Sequence, residues 1–166
     1  MFITIHAVAA TLIGKKVASA PLAFILGIIS HFILDIIPHG DQKLGKKFFG
    51  FSFNLIPQEK KGIRTLALYG IIDAFALIGL LLYLFRTFEF ADSDSVAWAI
   101  IGGILPDALV GIYVVGKFKF LKWFFELHSK IHYFWLDKMK KDIPLKWGVL
   151  MQIITLIFIF WLIALF

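Results

Sequence analysis

The chain has 166 residues, of which 60% are hydrophobic and 17% charged, with 19 Phe, 5 Trp and no Cys. Soluble chains average roughly 45–50% apolar and about 25% charged, so a water-soluble globule is excluded and a bilayer must supply part of the solvent. The missing cysteines exclude disulfide scaffolds, CxxC redox chemistry and thiolate zinc sites. The 17 Lys and Arg against 11 Asp and Glu read as a topology signal and an attraction to anionic lipid headgroups, with no nucleic acid expected as a partner.

The opening MFITIH lacks a basic n-region, so residues 2–16 read as a short retained helix and not as a signal peptide. Four stretches approach the roughly 20 apolar residues that a hydrocarbon core requires: 17–37, 65–86, 95–116 and 145–166. Residues 117–141 (KFKFLKWFFELHSKIHYFWLDKMKK) read as an interfacial helix. One face collects Lys119, Lys122, Glu126, Lys130, Asp137 and Lys140, and Trp123, Phe124, Tyr133 and Trp135 suit headgroup depth. At 100° per residue His128 and His132 fall on the opposite side. The tail from Leu145 has only Gln152 and Thr155 as polar interruptions, which assigns it anchoring and packing. The fold class is all-α: one integral membrane domain over 1–166, a polytopic helical bundle of about five transmembrane helices plus one amphipathic interfacial helix. Oligomerisation is left open.

Basic residues orient this bundle. Six lie in residues 39–64 (Lys43, Lys46, Lys47, Lys60, Lys61, Arg64) and eight Lys in 117–146, so both connections are expected on the cytoplasmic side. The loop with Glu89, Asp92 and Asp94 then faces out, the N-terminus is inside and the C-terminus outside. Lys15 and Lys16 run against this rule, which points to a first helix that is tilted or re-entrant. The expected location is the cytoplasmic membrane of a bacterium.

Asp35, Asp73 and Asp107 lie within spanning segments, as do His6 and His31, at a cost of about 2.5–3.5 kcal/mol each for the acidic groups. Small residues share their faces: Ala10 and Gly14 after His6, Gly27 before His31 and Asp35, Gly70 before Asp73, Gly103 and Gly111 around Asp107. Such spacing lets helix backbones approach, so these faces point into the bundle. His39 sits just past Pro38 at the membrane surface, and all five histidines are expected at one leaflet. His31 and Asp35 stand at i and i+4, as do His128 and His132, which lets each pair reach one ion. The candidate metal ligands are His6, His31, Asp35, His39, Asp107, His128 and His132, with Asp73 and Asp107 as candidate catalytic carboxylates. A His-rich site with carboxylates suits one or two zinc ions first, with manganese or iron as competitors. Ser30 and Ser129 are candidate contacts to ligands or substrate, with hydrogen bonding to their own helix the commoner use.

The stretch SHFILDIIPH from Ser30 to His39 resembles the zinc-dependent phospholipase C signature, which implies zinc-ligand roles for His31 and Asp35 and, less directly, His39. The chain as a whole resembles the bacterial membrane-bound metal-dependent hydrolases of the LexA-regulated inner-membrane type. That resemblance rests on His6, Leu105-Pro106-Asp107, His128-Ser129-Lys130-Ile131-His132, and Ser30-His31 with Asp35. It implies a metal-dependent hydrolase. The expected activity is hydrolysis of phosphoesters in lipids or amphiphilic compounds at the cytoplasmic leaflet, with Lys43, Lys46, Lys47 and Lys119 available to an anionic headgroup. Cation or proton transport and a non-enzymatic membrane subunit are the alternatives.

Overall fold

The computed structural model describes residues 1–37, 39, 60–134, 138 and 143–165. Lys43, Lys46, Lys47, Trp135, Asp137 and Lys140 lie outside the described residues. Helix α1 runs over Ile3–Lys16, α2 over Ala20–Asp35, α3 over Lys60–Thr87, α4 over Ser93–Gly116, α5 over Lys122–His132 after a 3-10 turn at Lys119–Leu121, and α6 over Leu145–Leu165. No strand occurs among the described residues. Among the described residues, three helices are long and apolar enough to cross a membrane, over Gly70–Thr87, Ser93–Gly116 and Lys146–Leu165, and the protein is a membrane protein on that ground.

The other two expected spans are shorter than their apolar runs. The 17–37 run is helical only over Ala20–Asp35, with Pro21 in the first turn, where its missing N–H is no loss and its fixed φ suits helix entry. At the far end the Ile36 N–H returns to the Phe32 carbonyl at 3.2 Å, and Pro38 disfavours helix at the residue before it. With 14 and 16 residues, α1 and α2 are about 21 and 24 Å long, short of a hydrocarbon core of about 30 Å. The interfacial helix expected at 117–141 is also shorter. Lys117 takes the left-handed conformation (φ 52°) and bonds back to the Tyr113 carbonyl, so α4 ends there and α5 starts afresh. The Tyr133 N–H closes α5 on the Ser129 carbonyl at 3.0 Å.

The start of α4 is capped by Asp92, whose Oδ1 accepts from the Asp94 and Ser95 N–H groups at 3.1 Å each while the Ser95 hydroxyl donates to Oδ2 at 2.6 Å. The Ser95 bonds hold the Asp92 carboxyl below the usual carboxylate range, as expected where a carboxylate meets orphan helix N–H groups.

Helix α1 is the central pillar, packed against α2, α3, α4 and α6. Lipid tails provide no hydrophobic drive between helices, so association rests on close backbone contact. A Cβ added at Gly14 would strike Val96 Cα, at Gly27 the Ala99 carbonyl, and at Gly102 the Phe24 carbonyl, while one at Gly103 would lie 2.9 Å from Ala10 Cβ and 3.0 Å from the His6 carbonyl. Gly70 and Gly111, expected to serve the same purpose, meet nothing within 4 Å. Their neighbours Asp73 and Asp107 are positioned by other contacts. Ile5, Val8, Leu84, Ile159 and Ile163 fill the core between α1, α3 and α6. Leu68, Ile72, Phe75 and Leu82 of α3 and Ile154, Ile157 and Trp161 of α6 face outward, an arrangement that only a lipid surround tolerates.

Lys15, at the end of α1, donates to the Ile163 carbonyl in the last turn of α6 at 2.7 Å. It neutralises an orphan carbonyl where the helix dipole is negative. A local structural use therefore accounts for a lysine that the basic-residue count places on the less favoured side.

Candidate metal centre

Four helices and the residues after α2 bring the histidines together. His6 enters from the first turns of α1, His31 and Asp35 from the last turn of α2, Asp107 from α4 just after the buried Pro106, and His128 from α5. His39 follows α2, and His132 ends α5. The rings form a continuous group: His6 stacks on His31 with centroids 3.9 Å apart, His31 lies 5.4 Å from His128, His128 5.7 Å from His132, and His132 4.7 Å from His39. Asp35 is the hub, with 1% of its side chain exposed.

Two sets of ligand atoms share Asp35. In the first, His31 Nε2 is 3.1 Å from His128 Nε2 and 3.2 Å from Asp35 Oδ2, and His128 Nε2 is 3.2 Å from the same oxygen. Asp107 Oδ1 completes it at 3.4 Å from His128 Nε2 and 3.7 Å from His31 Nε2. A tetrahedron with metal–ligand bonds of about 2.0–2.2 Å has edges of about 3.3–3.6 Å, so these atoms stand close to the corners of a coordination shell. The second set is Asp35 with His39 and His132, whose ligand atoms all lie within 4.8 Å of one another.

Hydrogen bonding joins only part of this group: the His31 and His128 Nε2 atoms pair at 3.1 Å, but other buried polar atoms are left over. Asp35 Oδ2, despite two imidazole nitrogens at 3.2 Å, accepts no hydrogen bond, and neither nitrogen of the buried His6 has a hydrogen-bond partner. Buried polar atoms left this way are costly unless something else satisfies them. The tautomers point the same way. His31 Nδ1 donates to the Gly103 carbonyl at 2.8 Å and His39 Nδ1 to the Ile37 carbonyl at 2.8 Å, leaving the Nε2 lone pair of each turned toward the carboxylates, the usual orientation of metal-binding histidines. Burial alone would lower the His128 imidazole, but the Asp107 and Asp35 carboxylates beside it push it up to about 9. Metal binding at His128 must compete with protonation of its imidazole. The residues present fit a divalent metal.

Asp73 stands apart from this group. Its Oδ2 accepts from the Ile3 N–H at 2.6 Å, and its Oδ1 accepts from the Thr4 N–H at 3.3 Å and the Thr4 hydroxyl at 2.5 Å. The carboxylate caps α1 from another helix, answering the orphan N–H groups that Phe2, at the N-cap with no side-chain bond, cannot serve. Gln152 does related work: its Oε1 accepts from the Phe2 N–H at 2.9 Å. Its isolation as a polar residue in an apolar tail was the signal available for that contact. Ser30 bonds its own helix at the Gly27 carbonyl, 2.8 Å away. The backbone nitrogen of Met1 lies 3.1 Å from Asp35 Oδ1 and 2.8 Å from His39 Nε2, a neighbour that no residue-type pattern signals.

Comparison of the chain with protein-family models, with curated proteins and with solved structures returns no match in any of the three.

Proposed function

We propose that the protein is a membrane-embedded, zinc-dependent hydrolase of phosphoesters in lipids or amphiphilic compounds, working at the cytoplasmic leaflet of a bacterial inner membrane. The observation that carries this reading is the set of His31 Nε2, His128 Nε2, Asp35 Oδ2 and Asp107 Oδ1, in which the five distances that involve an imidazole nitrogen are 3.1–3.7 Å. Two imidazoles and two carboxylates without thiolate suit zinc, with manganese or iron as competitors. When bound, such an ion activates water near neutral pH and neutralises charge on a phosphoryl oxygen.

A closed four-ligand shell is the mark of a structural site, and catalysis needs one position open. Asp107 is the ligand that can open it. Its oxygen has the longest edges, and 20% of its side chain is exposed against 0% for His31 and 1% for Asp35. Swung outward, Asp107 admits water and accepts one of its protons as the water oxygen bonds to phosphorus; the ester P–O bond breaks, and that proton passes to the leaving oxygen. Asp73 takes no part, because both of its oxygens cap α1. Lys119 and Lys122 of the exposed amphipathic segment suit an anionic headgroup.

The test is incubation of purified protein with mixed phospholipids and with soluble phosphodiesters, each with and without zinc or manganese. Metal-dependent product from the wild type, absent from Asp35→Asn, is the expected result. Bound metal with no product above the Asp35→Asn control would refute the hydrolase reading.

A further inference from the structure

We propose that Asp35 bridges two metal positions, so that the centre is dinuclear. The inference rests on the reading of this cluster as a metal site, not on the hydrolytic reaction.

The two oxygens of Asp35 face different sets of ligands. Oδ2 belongs to His31, His128 and Asp107. Oδ1 lies 3.2 Å from His6 Nε2 and 3.1 Å from the Met1 nitrogen, and the carboxyl also belongs to the set with His39 and His132. A carboxylate with one oxygen in each of two ligand sets is the arrangement that holds paired cations, and paired hydrolytic ions stand about 3.5–4 Å apart. The residues on the Oδ1 side have the chemistry of a site. His39 uses Nδ1 on the Ile37 carbonyl and presents Nε2 inward, as His31 does in the first set through Gly103. His6 is fully buried and neither of its nitrogens makes a hydrogen bond, although its Nε2 stands at ligand-to-ligand distance from Oδ1. His39 Nε2 and Asp35 Oδ1 already hold a nitrogen between them, that of Met1 at 2.8 and 3.1 Å, which marks where a cation attracted to both would sit.

The second position thus comprises the Asp35 carboxylate, His39 and His132, with Oδ1 the oxygen that shares the Met1 nitrogen with His39 and His6 beside it. Burial supports the assignment: Asp35, His6 and His39 are all buried, and a single ion in the first set leaves His6 beside Asp35 Oδ1 at 3.2 Å with no hydrogen bond to either nitrogen. A second cation beside Oδ1 offers it a partner.

The experiment uses the full chain in detergent or lipid nanodiscs, stripped with chelator and titrated with Mn(II), followed by bound-metal stoichiometry and electron paramagnetic resonance. The expected result is about two equivalents and the spectrum of an exchange-coupled pair. His39→Gln with His132→Gln is expected to reduce binding to about one equivalent with an isolated-ion spectrum, and Asp35→Asn to weaken both positions. Saturation of the wild type at one equivalent with an isolated-ion spectrum would overturn the proposal and leave the Met1 nitrogen as the occupant of the second position. That readout does not depend on whether any variant folds. Hydrolysis by a protein that binds one equivalent would leave the hydrolase reading standing and remove the bridge; a coupled pair without hydrolysis would do the reverse.

Discussion

Replacing Gly27 with Ala tests the packing that sets the metal centre. Gly27 lies two turns before Asp35 on α2, and its Cα faces α4. A methyl there would overlap the Ala99 carbonyl oxygen and lie 3.0 Å from the Gly103 nitrogen and 3.2 Å from the Ala99 carbonyl carbon. All three are backbone atoms of a helix, so none can rotate away. Carbon settles at about 3.5–4.0 Å from such neighbours, and α2 must therefore withdraw from α4 by about 1 Å at this level. Overpacking of this kind costs about 1–3 kcal/mol, roughly a 5- to 150-fold loss in the folded-to-unfolded ratio at tenfold per 1.4 kcal/mol.

The same displacement reaches the site, because α2 carries His31 and Asp35 while α4 carries Asp107 and the Gly103 carbonyl that orients His31. Losing the bond that orients a metal-binding histidine costs about 10- to 100-fold in metal affinity. Gly27→Ala is thus expected to lower both the unfolding midpoint and the zinc affinity measured by chelator competition. Gly79→Ala on α3, where a Cβ meets nothing within 4 Å, is expected to leave affinity unchanged. Wild-type stability and affinity in Gly27→Ala would refute the argument that α2 and α4 meet backbone to backbone.

Asp73→Asn is expected to lower stability by about 1–3 kcal/mol, because it weakens charge-assisted bonds to the start of α1, while bound metal per folded protein stays at the wild-type value; a parallel loss of metal would return Asp73 to the centre. Residues 43–61 are expected to face the cytoplasm and residues 89–94 the opposite side, read by compartment-specific cysteine labelling, and labelling of 43–61 from outside would invert the orientation.

Helix positions were readable where apolar length decided them, as in α4 and α6, and less so where termini did. The 17–37 run is predominantly apolar, but the local chemistry of Pro21 at one end and of Ile36 before Ile37-Pro38 at the other trims it to 16 residues. The histidines and Asp35 were readable because a membrane makes every ionisable group conspicuous, and the i and i+4 pairing of His31 with Asp35 places both on one face. The same conspicuousness does not separate Asp73 from Asp35. Both are intramembrane carboxylates beside a glycine, and only the location of another helix's unpaired N–H groups makes one a cap and the other a hub. Glycines carry a similar ambiguity: Gly102, with no acidic partner to draw notice, meets the Phe24 carbonyl, whereas Gly70 and Gly111 meet nothing.

The placement of the small residues also bears on the choice between hydrolysis and ion passage. A conducting route from the cluster to the far end of the bundle would have to run along α1 between α2 and α4. There Ala10, Ala23 and Ala99 are fully buried together, and Gly14, Gly27, Gly102 and Gly103 seat backbone against backbone or Cβ. On the other flank of α1, Ile5, Val8, Leu84 and Ile163 form an apolar plug. An ion leaving the histidines in that direction would shed its ligands and meet, among the buried polar residues there, Thr11 and Ser95, whose hydroxyls already donate to the Ala7 carbonyl at 2.9 Å and to Asp92 Oδ2 at 2.6 Å. Among the described residues, packing along α1 therefore offers no further metal ligand in that direction, and the partly exposed Asp107 stands at the margin of the group. A transporter needs two mouths, whereas a hydrolytic centre needs one, through which a headgroup and water enter and products leave.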